Sequence, residues 1–397
     1  MRTPKIRRAL IIGTQTQLLH HLPSLLSRAG FSVDLLTTSF GISRKLNIEN
    51  LEIFDFGNCL IEKLSKIDLD QYTLIVNGDD DMLSAIRKSH LADAKKLKLL
   101  PIVAMSDAIH LHSKIALSQI LEASNIATPK FAIAKEPREL LTLARSIGFP
   151  VMIKVDQSGG GFGVYSCQNE DEITKISRFF LEYPLLIQKK INGKLADLSG
   201  FYQNGELIHF SYSEFEKCIH GPYGPSVVRT YYDIATLPPQ IQIELKKIGR
   251  VLGIDGFTNI SCLINSDRSE RHYIEVDLRP TIWCDYAKYL DSDPAQALKS
   301  YFDNYQIPTA PSKDKPFPPK VIAHYMRLNL VELIFNRYGV WSYLEGASFF
   351  LLAKQCLFRQ PIEGLEYWFT CAVKKKLPPS YWNAIRRKYL DFKLRFL

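Results

Sequence analysis

The sequence predicts an α/β fold, because short apolar stretches that fit buried strands alternate with segments of helical periodicity. Residues 9–13 form the first apolar stretch, helical spacing follows from 18 to 29, and residues 31–36 form the next strand. Residues 72–76 form a further strand. We therefore predict a Rossmann-like domain over residues 1–105, with functional groups at the carboxyl ends of its strands.

An acidic turn, Asn77–Asp81, follows the last of these strands. Its carboxylates either contact a substrate or cap a helix that begins near Met82, and capping is the favoured interpretation. Gly13 ends the first strand, but the turn after it lacks the pattern GxGxxG. We therefore do not predict a dinucleotide site.

Composition and charge indicate a globular protein of two or three domains. The chain has 397 residues, of which 46% are hydrophobic and 23% are charged, and its net charge is +9. Basic residues cluster near the C-terminus, at 374–376 and 386–388. That cluster is either a solvated helix face or a weak contact with a membrane surface, and nucleic acid is the less favoured partner. A homodimer is a further candidate assembly.

The seven cysteines are scattered and include no CxxC pair, so neither a zinc site nor a disulfide framework is predicted. The longest apolar run in the C-terminal part, residues 346–353, is much shorter than a membrane span. The N-terminus lacks the apolar core of a signal peptide. We expect a cytoplasmic protein that is peripheral to a membrane at most.

A glycine-rich hairpin follows the first domain. Residues 106–125 have helical periodicity, and residues 150–155 form a strand that carries Lys154. The loop Ser158–Gly163 comes next, and residues 164–167 return as a strand. This order differs from the strand, loop and helix of a P-loop.

The remaining segments predict further strands and a helical C-terminus. Strands are expected at 185–188, 196–203, 207–212, 257–264 and 272–276, and helices at 140–147 and 241–252. Residues 308–320 are rich in proline and lysine and form the best linker candidate. Residues 321–397 are predicted to be a basic helical region.

Two lysines, the glycine loop and a pair of carboxylates together match the demands of a nucleoside triphosphate. Its phosphates need cations such as Lys114 and Lys154, and glycines let backbone N–H groups approach the phosphate oxygens. Mg²⁺ accepts one or two carboxylates together with phosphate oxygens. Glu275 and Asp277 lie two apart on a predicted strand and share a face, which Arg279 continues.

Four motifs, in this order, resemble the ATP-grasp superfamily, and in particular the ATP-binding domain of carbamoyl phosphate synthase large chains. The motifs are Ile126–Pro129, Ile147–Lys154, Ser158–Val164 and Tyr273–Pro280. The resemblance implies a preATP-grasp domain at 1–105 and a two-lobed ATP-grasp domain at 106–307. Its smaller lobe would span 106–185 and its larger lobe 186–307, with the helical extension after them.

The resemblance also implies roles for individual residues. Lys114 and Lys154 would contact the phosphates of ATP. The loop that covers them would comprise Ser158, Gly159, Gly160, Gly161, Phe162 and Gly163. The hinge that contacts adenine would comprise Gln188, Lys189, Lys190 and Ile191. Glu275 and Asp277 would hold Mg²⁺ or Mn²⁺, and Arg279 would stabilise the acyl phosphate or the γ-phosphate.

Several positions depart from the family pattern. Gln188 stands where the hinge usually has Glu, and Leu195 stands where a second Glu is usual, so Asp197 is the nearest acid for the ribose. Asp277 replaces the usual Asn. Ser261 occupies the position of an expected metal carboxylate, with Asp277 as the candidate to compensate.

The resemblance implies a carboxylate–amine ligase. A small carboxylic acid would attack the γ-phosphorus of ATP to give an acyl phosphate and ADP, and an amine would then form the amide and release phosphate. A phosphoryl transferase of the same fold and a nucleotide-binding protein with weak catalysis remain alternatives. Arg229 is a candidate for substrate or phosphate contact, and His220 lies either in an acceptor pocket or in a plain turn.

Overall fold

A computed structural model of the protein describes residues 7–13, 16–37, 48–53, 58–159, 161, 163–177, 182–218, 223–290, 292–303, 316 and 318–323. The strands are β1 Arg7–Ile12, β2 Phe31–Thr37, β3 Asn50–Ile53, β4 Leu74–Asn77, β5 Phe131–Ala134, β6 Val151–Val155, β7 Val164–Cys167, β8 Leu185–Lys189, β9 Lys194–Gln203, β10 Glu206–Cys218, β11 Ser226–Tyr232, β12 Gly256–Ile264, β13 Arg271–Asp277 and β14 Lys320–Ala323. The helices are α1 Thr16–Arg28, α2 Asn58–Lys66, α3 Asp80–Lys88, α4 Asp93–Leu99, α5 Lys114–Ala123, α6 Leu140–Ile147, α7 Glu170–Ser177, α8 Pro239–Val251 and α9 Pro294–Phe302. The α/β class is confirmed.

The chain forms two compact units, and each unit combines segments that are distant in the sequence. The first unit comprises residues 1–128, 192–214 and 231–320, and the second comprises 129–191, 215–230 and 321–397. The sequence instead predicted consecutive domains. Those consecutive boundaries stay a prediction.

The first unit contains a parallel sheet of strand order β3-β2-β1-β4. Its central strands are apolar because both faces are covered, and Ala9 to Ile12 of β1 are almost completely buried. Gly13 and Gly78 follow β1 and β4 at the carboxyl edge, where a Cβ on Gly13 would lie 3.1 Å from Gly78 Cα. The acidic turn thus begins at the edge where a Rossmann-like sheet presents its functional groups.

An antiparallel sheet in the first unit contains β13, β12, β9 and the first part of β10, in that order. Alternate residues of these strands, including Ala196, Leu198, Ile260 and Cys262, pack into the large core of the unit. The residues between them therefore lie on the opposite face. This face carries the polar side chains of the candidate site.

The second unit contains an antiparallel sheet of order β5-β8-β6-β7. Val151 and Ile153 of β6 and Ile187 of β8 pack against α6 and α7 in a separate core. Strand alternation places Met152 and Lys154 on the other face of this sheet.

Most predicted elements are confirmed, but the helix predicted over residues 106–125 is wrong in its first part. Residues Met105–His110 form a 3-10 turn, and α5 begins only at Lys114, where Ser113 caps it. The helix predicted from residue 321 is also wrong at its start, because residues 321–323 lie in β14.

Most of the predicted linker and residues 324–397 lie outside the described residues. Within the described part of the chain, every helix is too short or too polar to cross a membrane.

Candidate nucleotide and metal site

Two rows of polar side chains cross the antiparallel sheet of the first unit on one face. The first polar row is Asp197, Ser261 and Glu275, and the second is Ser199, Asn259 and Asp277, on β9, β12 and β13 respectively. Directly paired residues of antiparallel strands point to the same face, so each row is contiguous. The strand register places Ser261 directly opposite Glu275.

Hydrogen bonds link β9 and β12 within both rows. The Ser261 hydroxyl donates to Asp197 Oδ1 at 2.6 Å, and both residues are buried. The Ser199 hydroxyl donates to Asn259 Oδ1 at 3.1 Å. The carboxylate expected on β12 at Ser261 is therefore present one strand away, on Asp197. The assignment of Asp197 to the ribose stays a prediction.

A β-bulge lies beside the metal candidates. The register of β12 and β13 shifts between Ser261 and Cys262, which pair with Glu275 and Tyr273, so Ile274 has no direct partner in the ladder. Bulges bend a strand and redirect the side chains next to them, and they are frequent near active sites. The bulge therefore helps to set the direction of the Glu275 side chain.

Arg279 follows β13 and joins the second polar row to the acidic turn after β4. Its Nε and Nη2 donate to the two oxygens of Asp80 at 2.8 and 2.7 Å, and Nη2 lies 3.3 Å from Asp277 Oδ2. A two-pronged arginine–carboxylate pair fixes the guanidinium plane. Asp79 Oδ1 accepts from Met82 N at 3.1 Å, which confirms the capping interpretation for Asp79.

Burial and the neighbouring charges shift the pKa of Asp277. Burial raises the pKa of Asp277 to about 8; Arg279 opposes the rise, the carboxylates of Glu275 and Asp80 add to it, and Lys114 again opposes it. Burial thus favours the neutral form of Asp277, and a cation bound beside it would favour the ionised carboxylate. Lys114 itself is buried at the N-terminus of α5.

His112 is a member of the cluster that the sequence did not predict. It has a left-handed backbone conformation, with φ at 61°, two residues before Lys114. Burial lowers the pKa of its imidazole, Asp80 opposes this, and Lys114 and Arg279 lower it further. Left-handed non-glycine residues often mark functional sites. The sequence carried no signal for His112 apart from its place beside Lys114.

A small cavity lies on the same sheet face, beside the polar rows. Its lining includes Ser199, Phe201, His209, Phe257 and Cys284. His209 as a whole residue is partly exposed, but Nε2 of its imidazole is buried and makes no hydrogen bond with the described residues. Burial lowers the pKa of His209 to about 4. The ring is therefore neutral at pH 7.

In the second unit, Lys154 and Gln188 share the face of the sheet that is turned away from the core. Met152 of β6 pairs with Gln188 of β8, and Lys154 lies two residues further along β6. Both Lys154 and Gln188 are buried. A buried lysine needs an anionic or polar partner, and phosphate contact by Lys154 stays a prediction.

The glycine-rich loop lies in the second unit and is described in part. Ser158 Oγ donates to Val155 O at 3.1 Å, which closes the turn after β6. Gly159 lies in open space, because a Cβ added to it would meet no atom of the described residues within 4 Å. Gly160 and Phe162 lie outside the described residues.

The backbone at positions 161 and 163 requires glycine. Their φ angles are +78° and +69°, in the region that side chains disfavour. A Cβ on Gly161 would lie only 2.2 Å from Tyr223 O, and one on Gly163 would lie 3.0 Å from Val155. The loop therefore depends on these glycines for its shape.

The two hinge lysines have protein partners. Lys189 Nζ donates to the carbonyls of Gly148 and Phe149, both at 2.8 Å, and Lys190 Nζ donates to Ser166 Oγ at 3.1 Å. These contacts indicate that both side chains stabilise the second unit. The adenine contacts predicted for them, and for Ile191, stay predictions.

Arg229 is held rigidly within the second unit. It lies on β11, is almost completely buried, and donates from Nε to Ser226 Oγ at 2.8 Å. Its guanidinium carbon lies 4.4 Å from the centre of the Phe215 ring. A buried guanidinium of fixed plane suits an anion, and its catalytic role stays a prediction. His220 lies outside the described residues.

The donor set of the first unit fits Mg²⁺ when phosphate oxygens complete it. Among the side chains that the structure describes, no three His, Cys, Asp or Glu residues are grouped to hold a metal by themselves. Glu275 and Asp277 supply two hard oxygen donors on one face. Mg²⁺ sites that act on nucleotides commonly use one or two carboxylates and the phosphates themselves.

Comparisons with known proteins show which families this chain resembles. Residues 113–183 match the family described as "Carbamoyl-phosphate synthase L chain, ATP binding domain". The matched segment contains Lys114, Lys154 and the glycine loop. The large chain of carbamoyl phosphate synthase from Clostridium perfringens is 26% identical over 271 residues, which cover 66% of this chain and 24% of that protein. The chain thus spans about a quarter of the length of the curated relatives it matches.

Solved structures with a similar fold include ligases. N5-carboxyaminoimidazole synthetase from Staphylococcus aureus, complexed with ADP, has a TM-score of 0.62 and 15% identity, covering 84% of this chain and 87% of that one. L-amino acid ligase from Bacillus licheniformis has a TM-score of 0.54 and 16% identity, covering 75% and 74%. The biotin carboxylase domain of Hydrogenobacter thermophilus 2-oxoglutarate carboxylase has a TM-score of 0.59 and 14% identity, covering 77% and 71%.

Proposed function

Since this chain has the ATP-grasp fold, we propose that it is an ATP- and Mg²⁺-dependent ligase. It would join a small carboxylic acid to an amine through an acyl-phosphate intermediate. The observation that carries the proposal is the cluster of Glu275, Asp277 and Arg279 with Lys114 in the first unit. Two carboxylates for a metal and two cations for phosphate are the groups that phosphoryl transfer to a carboxylate requires.

In the first step, an oxygen of the substrate carboxylate attacks the γ-phosphorus, and the bond from that phosphorus to the oxygen of ADP breaks. Arg279 would stabilise the charge on the transferred phosphoryl group, because its guanidinium is already fixed by Asp80. Glu275 and Asp277 would hold Mg²⁺, which supplies charge stabilisation at the phosphate oxygens. Positioning and electrostatics do most of the work in such a reaction.

In the second step, the amine attacks the acyl carbon, the acyl–oxygen bond to phosphate breaks, and the amine loses a proton. No side-chain nucleophile is needed for either step. The acyl phosphate is the activated species, and the residues of the chain need only hold it and exclude water.

The second unit would hold the nucleotide. Lys154 and Gln188 share one buried face there, and a loop shaped by Gly161 and Gly163 follows β6. Backbone N–H groups of such a loop can approach phosphate oxygens closely. Solved relatives of the same fold carry ADP, and one carries the magnesium salt of ADP. We extend both ligands to this chain as part of the proposal.

The test is a screen of small carboxylic acids paired with amines, scored by ADP release and by product mass. The proposal expects at least one pair that releases ADP only when both partners and Mg²⁺ are present, with a product of amide mass. A stable phosphorylated acid as the end product would instead identify a phosphoryl transferase.

Ser261 favours one alternative, a nucleotide-binding protein with weak catalysis. It places a hydroxyl on β12 opposite Glu275, where a second metal carboxylate was expected. That alternative is supported if ADP release stays at background for all pairs while calorimetry still detects ATP binding. An active pair would exclude it.

Partners and location extend the proposal. One relative of the same fold is described as a domain dimer, so we propose a homodimer and expect light scattering to give twice the chain mass.

The described cysteines Cys167, Cys218, Cys262 and Cys284 are free thiols, which fits a cytoplasmic setting. Contact of the basic C-terminus with a membrane stays a prediction, because residues 324–397 lie outside the described part of the chain. Salt-sensitive binding to anionic vesicles would test it.

A further inference from the structure

Two carboxylates, those of Asp80 and Asp277, compete for the guanidinium of Arg279. Arg279 makes two hydrogen bonds to Asp80, at 2.8 and 2.7 Å, and one longer contact of 3.3 Å to Asp277. Asp277 is a proposed Mg²⁺ ligand, and an arginine paired fully with it would occupy the same oxygens as the metal. The partner that holds Arg279 therefore influences the metal site.

The elements that carry Asp80 and Arg279 fix this arrangement. Asp80 is the first residue of α3, where a carboxylate is stabilised by the helix dipole. Asp79, and not Asp80, caps this helix. The carboxylate of Asp80 is thus not needed for the cap, and its only hydrogen bonds in the described part of the chain are those from Arg279.

The orientation of the guanidinium follows from the pair. Asp80 accepts hydrogen bonds from the edge of the guanidinium that carries Nε and Nη2. The third nitrogen, Nη1, makes no hydrogen bond with any residue that the structure describes. The end of Arg279 that carries Nη1 is therefore the end that a phosphate oxygen can use, while the opposite edge is committed to Asp80.

We propose that Asp80 is the positioning residue of the site, which limits Arg279 to one longer contact with Asp277 and so leaves Asp277 to the metal. This inference rests on the metal role given to Asp277 under the proposed function. Asp80 itself touches neither metal nor nucleotide. Its effect passes through Arg279, so replacing Asp80 would matter only while Arg279 is present.

The test measures Mn²⁺ binding to the full chain with saturating ADP, by electron paramagnetic resonance of the free ion. In Asp80→Asn, Arg279 would turn to Asp277, and we expect the Kd for Mn²⁺ to rise about tenfold. In the double variant Asp80→Asn/Arg279→Met, we expect the Kd to return to that of Arg279→Met alone. Asp80→Glu, which keeps the charge, should recover most of the affinity.

Asp34→Asn is the matched control, because Asp34 is also a buried carboxylate of the first unit that pairs with an arginine, Arg8. It should leave the Kd for Mn²⁺ unchanged. An unchanged Kd in Asp80→Asn, or the same rise in the double variant as in the single one, would overturn the inference.

The same measurement separates this inference from the proposed function. Glu275→Gln should weaken Mn²⁺ binding to the otherwise unchanged protein. If it does not, the metal site itself is misassigned and the role of Asp80 falls with it. If Glu275→Gln weakens binding and Asp80→Asn does not, the metal site stands and only the role of Asp80 is refuted.

Discussion

The hydroxyl of Ser261 donates a hydrogen bond to Asp197 Oδ1 across strands β12 and β9, at 2.6 Å. Both side chains are buried, and Glu275 completes the row on β13. A serine thus stands where a metal carboxylate was expected, and an aspartate stands beside it on the neighbouring strand. The row keeps a carboxylate on each of its outer strands.

Ser261→Ala should destabilise the protein by about 1–3 kcal/mol, because it leaves the buried carboxylate of Asp197 without this donor. Urea unfolding would measure the change. Ser199→Ala is the matched control, since Ser199 donates to the neutral amide of Asn259, and its loss should have a smaller effect. Equal losses in the two variants would argue against a charged Asp197 at this position.

Gly161→Ala should weaken ATP binding about tenfold, because the left-handed backbone and the close Tyr223 carbonyl both oppose a side chain. Gly159→Ala is the control in the same loop, where a Cβ meets no described atom within 4 Å. Isothermal titration with ATP would compare them. The loop assignment fails if Gly161→Ala binds ATP as the wild type does.

Lys154→Ala should abolish detectable ATP binding while the protein stays folded. Lys154 is buried on the face that it shares with Gln188, and its charge would be the main attraction for phosphate in the second unit. Circular dichroism would establish folding and calorimetry would establish binding. Lys189→Ala is the control, because its side chain donates to two backbone carbonyls, and it should lower stability more than affinity.

Glu275→Gln should lower Mg²⁺-dependent ADP release by about 100-fold or more, since it removes one of the two carboxyl groups proposed to hold Mg²⁺. Release would be followed over a range of Mg²⁺ concentrations with the active pair of substrates. Glu270→Gln, at the exposed turn before β13, is the control and should retain full activity. Full activity of Glu275→Gln would refute the metal role.

The free energy of unfolding should fall as the pH is lowered from about 6.5 to about 4, because burial lowers the pKa of His209 to about 4. In this range the unfolded chain binds a proton at His209 and the folded chain does not. Below pH 4 both forms are protonated, so the contribution is constant. Its size is at most about 3 kcal/mol.

Urea unfolding at several pH values would measure this dependence, with His209→Gln expected to flatten it. His272→Gln, on β13, is the matched control and should keep the slope of the wild type. A slope that survives in His209→Gln would show that another group carries the pH dependence.

The sequence predicted the order of the elements well where local patterns are strong. Strands β1, β2, β6 and β12 coincide with uninterrupted apolar or alternating stretches, and helix α6 has the predicted bounds. Strands β3, β5 and β11 were missed, and the four residues of β3 and of β5 carry little periodicity by which to separate strand from loop. The helix predicted over residues 106–125 failed in its first part, because a 3-10 turn ends at His110 and α5 begins only at Lys114.

The sequence by itself determined the identities and the spacing of the candidate groups: two lysines, the glycine loop, and Glu275 and Asp277 on one strand face. Strand alternation is a local property, so it could be read without a structure. The tertiary structure alone decided that Asp80 holds Arg279, 199 positions away. It also decided that Ser261 donates a hydrogen bond to Asp197 between the adjacent strands β12 and β9. These pairs depend on sheet register and on the packing of distant segments, which no local pattern encodes.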